Sequence, residues 1–339
     1  MIKICTQFLR PTAKSIDLSN YFRSLNFDLN DKSDSGDRDK YEKELNDALE
    51  SLENLKHLTE LELLKTGGVD ENILSIIGTM KKLRILRASG NIFDLSSLSS
   101  CTALVELDLS NYNEYDSSGD RNRITDLSPL TTIETLTSLD ISCNRSLVDI
   151  SPLASMGNLT SLSLEHNRIV NINSISSLTN LVYLNLQNNK IEDISTLSNL
   201  HGLNTLKIRQ NKIWDLSPLT ELTNLTHLDI DLQDMPGQLD LSPLKNILNL
   251  KELYADGMDY FDLSPLANLS NLILLKLNNA FNKGKLPDLT PLADLSKLRE
   301  LQITFNSTTR EQITALQTAL PHCTIKDGSS IGRIFSLSE

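Results

Sequence analysis

Leu181-V-Y-L-N-L-Q-N-Asn189 alternates apolar and polar residues through its middle and ends on an asparagine. Leu159-T-S-L-S-L-E-H-Asn167 precedes it and Leu203-N-T-L-K-I-R-Q-Asn211 follows it, each at an interval of 22 residues. Alternation of period two over so short a span marks a strand with one buried face. One such strand cannot bury its leucines alone. Recurrence at a fixed interval therefore predicts that successive copies stack and share a continuous core.

Eleven copies of L-x-x-L-x-L-x-x-N open at Leu58, Leu83, Leu104, Leu136, Leu159, Leu181, Leu203, Leu225, Leu250, Leu272 and Leu298. Asparagine suits the ninth place because its short amide can hydrogen-bond nearby backbone where the chain turns. Asn91, Asn144, Asn167, Asn189, Asn211 and Asn306 keep it, whereas Thr66, Tyr112, Gln233, Met258 and Ala280 depart from it. A second phrase, Asp-Leu-Ser-Pro-Leu or a near copy, recurs at 126–130, 149–153, 215–219, 240–244, 262–266 and 288–292. Serine before proline reads as a helix start, with the serine as cap and proline at the first helical position. The expected fold is α/β: a leucine-rich-repeat solenoid, curved as a horseshoe. Its parallel sheet is concave, short helical or 3-10 turns line its convex side, and helices cap its ends.

The unit Asn211-K-I-W-D-L-S-P-Leu219 resembles the 22-residue repeat of the bacterial internalins, over roughly residues 58–325. The resemblance implies protein–protein recognition on the concave face. The chain departs from surface-bound internalins in lacking a visible secretory signal, a following sandwich-like domain and a wall-anchoring tail. Host-receptor binding is therefore not carried over.

The expected organisation is an extension and linker over 1–38, a capping helix over 39–57, repeats over 58–305, a C-terminal cap over 306–326 and a loose tail over 327–339. Asp39 and Glu42 have the spacing of a capping pair. Tyr41, Leu45, Ala48, Leu49, Leu52 and Leu55 form a helical apolar stripe after them. Thr308-T-R-Glu311 spells a capping box ahead of an amphipathic stretch carrying Ile313, Leu316 and Leu320, and Cys323-Thr-Ile325 reads as a last short strand. Upstream, Ile16, Tyr21, Phe22, Leu25 and Phe27 have helical spacing. They read either as an extension of the cap or as a separate docking peptide.

The net charge of −12 argues against nucleic acid or an anionic membrane surface as partner, because both ask for a basic footprint. No run of apolar residues is long enough to insert in a membrane. Met1-I-K-I-C-T-Q-F-L-R-Pro11 lacks the apolar core of a signal peptide. Cys5, Cys101, Cys143 and Cys323 are scattered, in neither a disulfide nor a zinc pattern. These features predict a cytoplasmic chain, or one exported by a signal-independent route. Triplets such as Asn158-L-Thr160 and Asn224-L-Thr226 read as by-products of the repeat rather than as glycosylation sites.

The third, fifth, seventh and eighth places of each copy should face outward from the concave sheet. They hold eleven acids and five bases, a balance that favours a partner with a basic patch. Aromatics and arginine anchor interfaces more often than charge alone does. Adjacent copies set Tyr183, Lys207, Arg209, His227, Asp229, Asp231, Glu252, Tyr254 and Asp256 in one expected partner-binding patch. Three irregular loops follow departures from the asparagine place. From these, Tyr260, Phe261 and Phe281 either extend that patch or tuck inward to replace lost asparagines. An insertion around Tyr112-N-E-Y-D-S-S-G-D-Arg121 is a further loop that could bind or only pack.

No phosphate loop, H-E-x-x-H, G-x-S-x-G or paired-cysteine spacing is present. His166, His227 and Cys143 fall on or near the concave face without a motif around them. Asp229-Ile-Asp231 offers two carboxylates where calcium usually takes six or more oxygens. The sequence thus predicts no catalytic residue, metal, cofactor or small-molecule substrate. It reads as a binding module or scaffold, or alternatively as an inhibitor or regulatory subunit of an enzyme, including a bacterial effector acting on host proteins.

Overall fold

The computed structural model describes residues 56–63, 69, 71–89, 92–111, 123–234, 239–257, 262–279, 288–304 and 308–328, together with the backbone of 15–17. The chain divides into two compact units, Met1–Ile169 and Val170–Glu339. The first contains strands β1 (Ser15–Asp17), β2 (Glu60–Leu63), β3 (Ile85–Ala88), β4 (Glu106–Asp108), β5 (Ser138–Asp140) and β6 (Ser161–Ser163). Each pairs in parallel with the next. The second contains β7 (Tyr183–Asn185), β8 (Thr205–Lys207), β9 (His227–Asp229), β10 (Glu252–Tyr254), β11 (Leu274–Lys276), β12 (Glu300–Gln302) and β13 (Thr324–Lys326), again parallel in sequence order. The fold is the expected leucine-rich-repeat arrangement of parallel strands and 3-10 turns.

The repeat's apolar places explain the core. In the coil of β7, Leu181, Leu184, Leu186, Ile191, Leu197 and Leu200 have no exposed surface, and Ile194 has 2 %. The same places are buried in the neighbouring coils, so each coil's leucines are covered by the next coil as well as by its own. Registration is strict. Leu184 lies opposite Leu206, Leu206 opposite Leu228 and Leu228 opposite Leu253, which keeps one face of every strand apolar.

The asparagine ladder works as the sequence suggests. Asn211 Nδ2 donates to Leu186 O and Ile208 O, both at 2.9 Å, while its Oδ1 accepts from Ile191 N at 3.1 Å. Asn167 Nδ2 similarly donates to Ile141 O at 3.0 Å and Leu164 O at 2.9 Å. Gln233, expected to depart from the pattern, fills the same role. Its Nε2 reaches Ile208 O at 2.9 Å and Ile230 O at 3.2 Å, and its Oε1 accepts from Ile213 N at 3.1 Å. The longer side chain carries the same amide, so the ladder survives the change of residue. Thr66, Asn91, Tyr112, Met258, Ala280 and Asn306 lie outside the described residues.

The far side of the coils requires one correction. The Ser-Pro-Leu segments do form 3-10 turns, as at Ser151–Ser155 and Ser217–Glu221, with proline in the first positions. The serine does not cap them, however, because the capping position belongs to the preceding Ile150 or Leu216, whose side chain has no acceptor. The aspartate two residues before the serine supplies it. Asp149 Oδ1 accepts from Ser151 N and Asp215 Oδ1 from Ser217 N, each at 2.8 Å. The same bond recurs from Asp126, Asp193, Asp240 and Asp262. Charge-assisted turns of this kind hold Asp126, Asp193 and Asp240 below the usual carboxylate range, chiefly through their bonds to the following serine.

The ends differ from expectation in two details. Ile16, read within a helical stripe, lies in β1 and stands opposite Leu61. Pairing there covers the open backbone edge of β2, which a helix laid alongside would leave to water. At the other end a helix, Arg310–Ala319, is capped by Thr309 and Gln312, one residue later than predicted. Thr309 Oγ1 accepts from Gln312 N at 3.2 Å and Gln312 Oε1 accepts from Thr309 N at 2.9 Å. Thr309 takes the role because its backbone is extended, with φ −94° and ψ 158°, as a cap requires. Leu316 and Leu320 are buried beneath this helix, and Thr324–Lys326 forms the predicted last strand. The proposed capping helix over 39–57 and the loop at 112–121 fall, with the exception of 56–57, outside the described residues.

Candidate functional site: the strand face of the second unit

The side chains opposite the core stand in cross-strand rows. One row of the second unit runs Tyr183, Thr205, His227, Glu252, Leu274, Glu300 and Thr324. The next runs Asn185, Lys207, Asp229, Tyr254, Lys276, Gln302 and Lys326. Residues in direct register across parallel strands are neighbours about 4.8 Å apart. Tyr183, Lys207, His227, Asp229, Glu252 and Tyr254 thus share one surface, with Arg209, Asp231 and Asp256 following on the same coils. Tyr260, Phe261 and Phe281 lie outside the described residues.

The patch is internally wired. Lys276 Nζ lies 4.8 Å from the centre of the Tyr254 ring, and Lys207 Nζ lies 5.8 Å from that of Tyr183. Both distances are within cation–π range. Tyr254 Oη donates to Glu252 Oε2 at 2.9 Å, and Glu252 Oε1 is 3.5 Å from His227 Nε2. Thr226 Oγ1 donates to Asn204 Oδ1 at 2.8 Å and is 2.7 Å from His227 Nδ1. Partial burial, and then the bond to Glu252, push the Tyr254 hydroxyl up to about 12. It therefore remains a neutral donor at physiological pH. These contacts restrict the rotamers of both tyrosines, so less entropy is lost when a partner packs on them.

The acids form a second layer of order. Asp229 Oδ1 accepts from Asp231 N at 3.1 Å. Asp231 Oδ1 accepts from Asp256 N at 2.6 Å, Asp256 Oδ1 from Asn278 N at 2.7 Å and Asn278 Oδ1 from Thr304 N at 2.8 Å. A diagonal chain of side-chain acceptors therefore crosses four coils. Asp231 is only 5 % exposed. Burial and then the neighbouring Asp229 raise its carboxyl to about 7, and burial likewise raises Asp229. Arg209 and Lys207 offset part of that cost at Asp229.

The first unit carries a separate acidic strand face. Arg87 lies 2.7 Å from Glu106 and 3.7 Å from Glu62 and neutralises part of it. Asp108 and Asp140 stand side by side across β4 and β5, and burial pushes Asp140 up to about 6. Serines floor this face: Ser142 and Ser163 are buried, with their hydroxyls 2.8 Å apart.

The thiol of Cys143 is not activated. Burial, followed by Glu165 and Asp140, drives the Cys143 thiol up to about 12, whereas a nucleophile needs a thiolate. Among the described residues no group of three or more His, Cys, Asp or Glu side chains is arranged to hold a metal. No helix of the described residues is long and apolar enough to cross a membrane.

Sequence reasoning missed several surface features. The strand face continues through Lys326, whose Nζ lies 2.7 Å from Glu300 Oε1, although that strand spells no repeat. Trp214 is 64 % exposed beside Lys212, and Val182, Leu248 and Ile273 are exposed on the edge that precedes the strands. Their signal was present in the repeat. Apolar residues stand there at places that other copies fill with polar ones, such as Glu192 for Trp214 and Asn204 for Val182.

Comparison with known proteins agrees with this architecture. Residues 157–199 match the family model for leucine-rich repeats in two copies. No curated protein sequence matches the chain. Among solved structures, an internalin (inlF) of Listeria monocytogenes is 28 % identical over 81 % of this chain and 75 % of its own, with a TM-score of 0.68. An internalin C2 (inlC2) of the same organism is 30 % identical over 61 % of this chain and 84 % of its own, with a TM-score of 0.53. TLR13, solved in complex with ssRNA13, shares the fold alone, at 22 % identity over 82 % of this chain and 44 % of its own, with a TM-score of 0.57. Leucine-rich-repeat proteins of this kind are generally interaction modules that present a surface rather than a reactive cleft. The repeat spelling, the asparagine ladder, the parallel strands and the match to inlC2 together show that the chain belongs to the internalin-like family of bacterial leucine-rich-repeat proteins.

Proposed function

We propose that the chain is a non-catalytic binding module whose second unit captures a protein partner on the strand face. Tyr183 and Tyr254 anchor the contact, and Glu252, Asp229 and Asp256 favour a basic patch on the partner, while the buried Asp231 acts by fixing the backbone of Asp256. The observation that supports this most is the pre-ordering of both tyrosine rings by Lys207 and Lys276 beside a set of aspartates fixed through backbone bonds. Such an arrangement offers apolar area with little entropy left to lose, inside a field that steers positive charge. An arginine of the partner could take the place of either lysine over its ring. In this reading Tyr260, Phe261 and Phe281 also contact the partner.

A negative net charge disfavours polyanionic nucleic acid on this face. TLR13 with its bound RNA shares the fold, so the point rests on charge rather than on architecture. Cross-linked capture from source-cell lysate, comparing the native chain with Tyr183→Ala/Tyr254→Ala, tests the reading. A partner lost by the variant while its circular dichroism is unchanged supports it. A partner retained at full yield refutes the anchor assignment. If the captured partner is an enzyme inhibited on binding, the module acts as a regulatory subunit or effector, which is the alternative role.

A further inference from the structure

The imidazole of His227 stands in the strand-face row between Thr205 on β8 and Glu252 on β10. Its side chain is 42 % exposed, so solvent protons and a partner both reach it. Its neighbours fix where its own proton sits. Thr226 Oγ1 lies 2.8 Å from Asn204 Oδ1 and 3.3 Å from Asn204 O. Both of these atoms are acceptors, so the single hydroxyl proton is spent on Asn204. His227 Nδ1, 2.7 Å from the same hydroxyl, is then the donor to it. A neutral imidazole carries one N–H, which leaves a lone pair on Nε2. That lone pair faces Glu252 Oε1 at 3.5 Å, acceptor against acceptor and beyond the usual hydrogen-bond length.

The two oxygens of Glu252 have different duties. Oε2 accepts from Tyr254 Oη at 2.9 Å, whereas Oε1 faces the histidine. A proton on Nε2 turns the opposed acceptors into an ion pair, occupies Oε1 and adds a positive charge to the face. Histidine is the side chain whose charge ordinarily changes between about pH 5 and pH 8. The other charged or titratable groups on the elements packed around the ring are Lys207 and Arg209 on the coil of β8, Asp229 and Asp231 on its own coil, and Lys251, Tyr254 and Asp256 on the coil of β10. Burial and then Asp229 raise Asp231 to about 7, so it takes up a proton over the same interval and weakens the negative field in the same direction. We propose that His227 is a proton-operated switch on the partner-binding face: neutral, it leaves Glu252 Oε1 open to a basic partner, and protonated, it takes that oxygen for itself. The inference rests on the strand-face reading of function. A basic partner and the His227 proton compete for one oxygen, so by linkage the affinity falls as the pH drops.

The test has two arms, both on the full chain. The first needs no partner. Long-range proton–nitrogen correlation spectra of the histidine rings, assigned against His227→Gln, report tautomer and charge. A neutral form protonated at Nδ1 is expected, and the Tyr254 ring signals should move with the His227 titration and lose that movement in His227→Gln. A neutral form protonated at Nε2, or Tyr254 signals indifferent to His227, would overturn the inference. The second arm follows a labelled hexa-arginine peptide by fluorescence anisotropy at constant ionic strength. Its affinity should fall about fivefold between about pH 8 and pH 5, and His227→Gln should remove at least about half of that fall. A fall retained in full by His227→Gln overturns the switch and leaves the strand-face reading standing. Binding at pH 8 that is absent, or unaltered by Tyr183→Ala/Tyr254→Ala, sinks the strand-face reading and the switch with it.

Discussion

Asp231 Oδ1 accepts a 2.6 Å hydrogen bond from the backbone N–H of Asp256, one coil along. The bond ties the two coils together, but it buries a carboxyl beside a second one, that of Asp229. The site's order and its electrostatic cost thus come from the same atoms.

That cost should appear as a pH dependence of stability. Asp231 titrates near 7 in the folded chain, above its unfolded value near 4. The folded state therefore holds a proton that the unfolded chain has released between these limits. Stability falls as pH rises from about 4 to about 7 and stays reduced above that. Asp229 and Asp140 are raised as well and act in the same direction. Asp231→Asn keeps an acceptor for Asp256 N and removes the charge. Its stabilisation should grow from near zero at pH 4 to about 2 kcal/mol at pH 8, a figure reduced for local solvent screening. Urea unfolding at the two pH values measures it, and equal stabilisation at both would contradict the account.

Gln233 and Asn211 occupy equivalent places and make equivalent bonds. Replacing either with alanine strands one buried backbone N–H, of Ile191 or Ile213, and removes the amide's bonds to interior carbonyls. Each substitution should cost about 3 kcal/mol, and the two losses should agree within about 1 kcal/mol. If Gln233→Ala proves nearly neutral while Asn211→Ala is costly, the glutamine is not a true member of the ladder.

Gly257 and Leu232 form a strained pair. Both have positive φ, 73° and 52°, and a Cβ on Gly257 would fall 2.3 Å from Leu232 Cδ2. Gly257→Ala should destabilise by about 2 kcal/mol, from backbone conformation and from the collision. In a double-mutant cycle, Leu232→Ala should recover the steric share, which the flexible leucine tip keeps to about 1 kcal/mol. Strict additivity would show that the two side chains do not meet.

Much of this was readable from the chain, for physical reasons that differ by residue. Leu184, Leu206 and Leu228 announce their burial because strand alternation and stacking admit no other face. Placing Tyr254 beside Asp229 needed only register, which the shared L-x-x-L-x-L phrase supplies although these two copies are 25 residues apart. The capping role of Asp149 and its equivalents was hidden because serine, an equally good cap signal, follows two residues later and stands directly before the proline. Gln233 was hidden because a repeat is spelled by residue name while the ladder needs only a correctly placed amide. The lysines over Tyr183 and Tyr254, and the acceptor chain through Asp231, depend on side-chain conformations across neighbouring coils, which leave no trace in a one-dimensional pattern. The edge asparagines were passed over because they read as repeat filler. In the fold Asn158 and Asn224 direct their amides to carbonyls of the preceding coil, which accounts for the recurring N-L-T spelling.

The central claim is that the strand face of the second unit binds a protein partner through Tyr183 and Tyr254. The most direct measurement is the affinity of the partner, once captured by cross-linking, for the native chain and for Tyr183→Ala/Tyr254→Ala at constant ionic strength. The account predicts at least a tenfold loss, about 1.4 kcal/mol or more, with an unfolding midpoint close to that of the native chain. Unchanged affinity in a folded variant would contradict it.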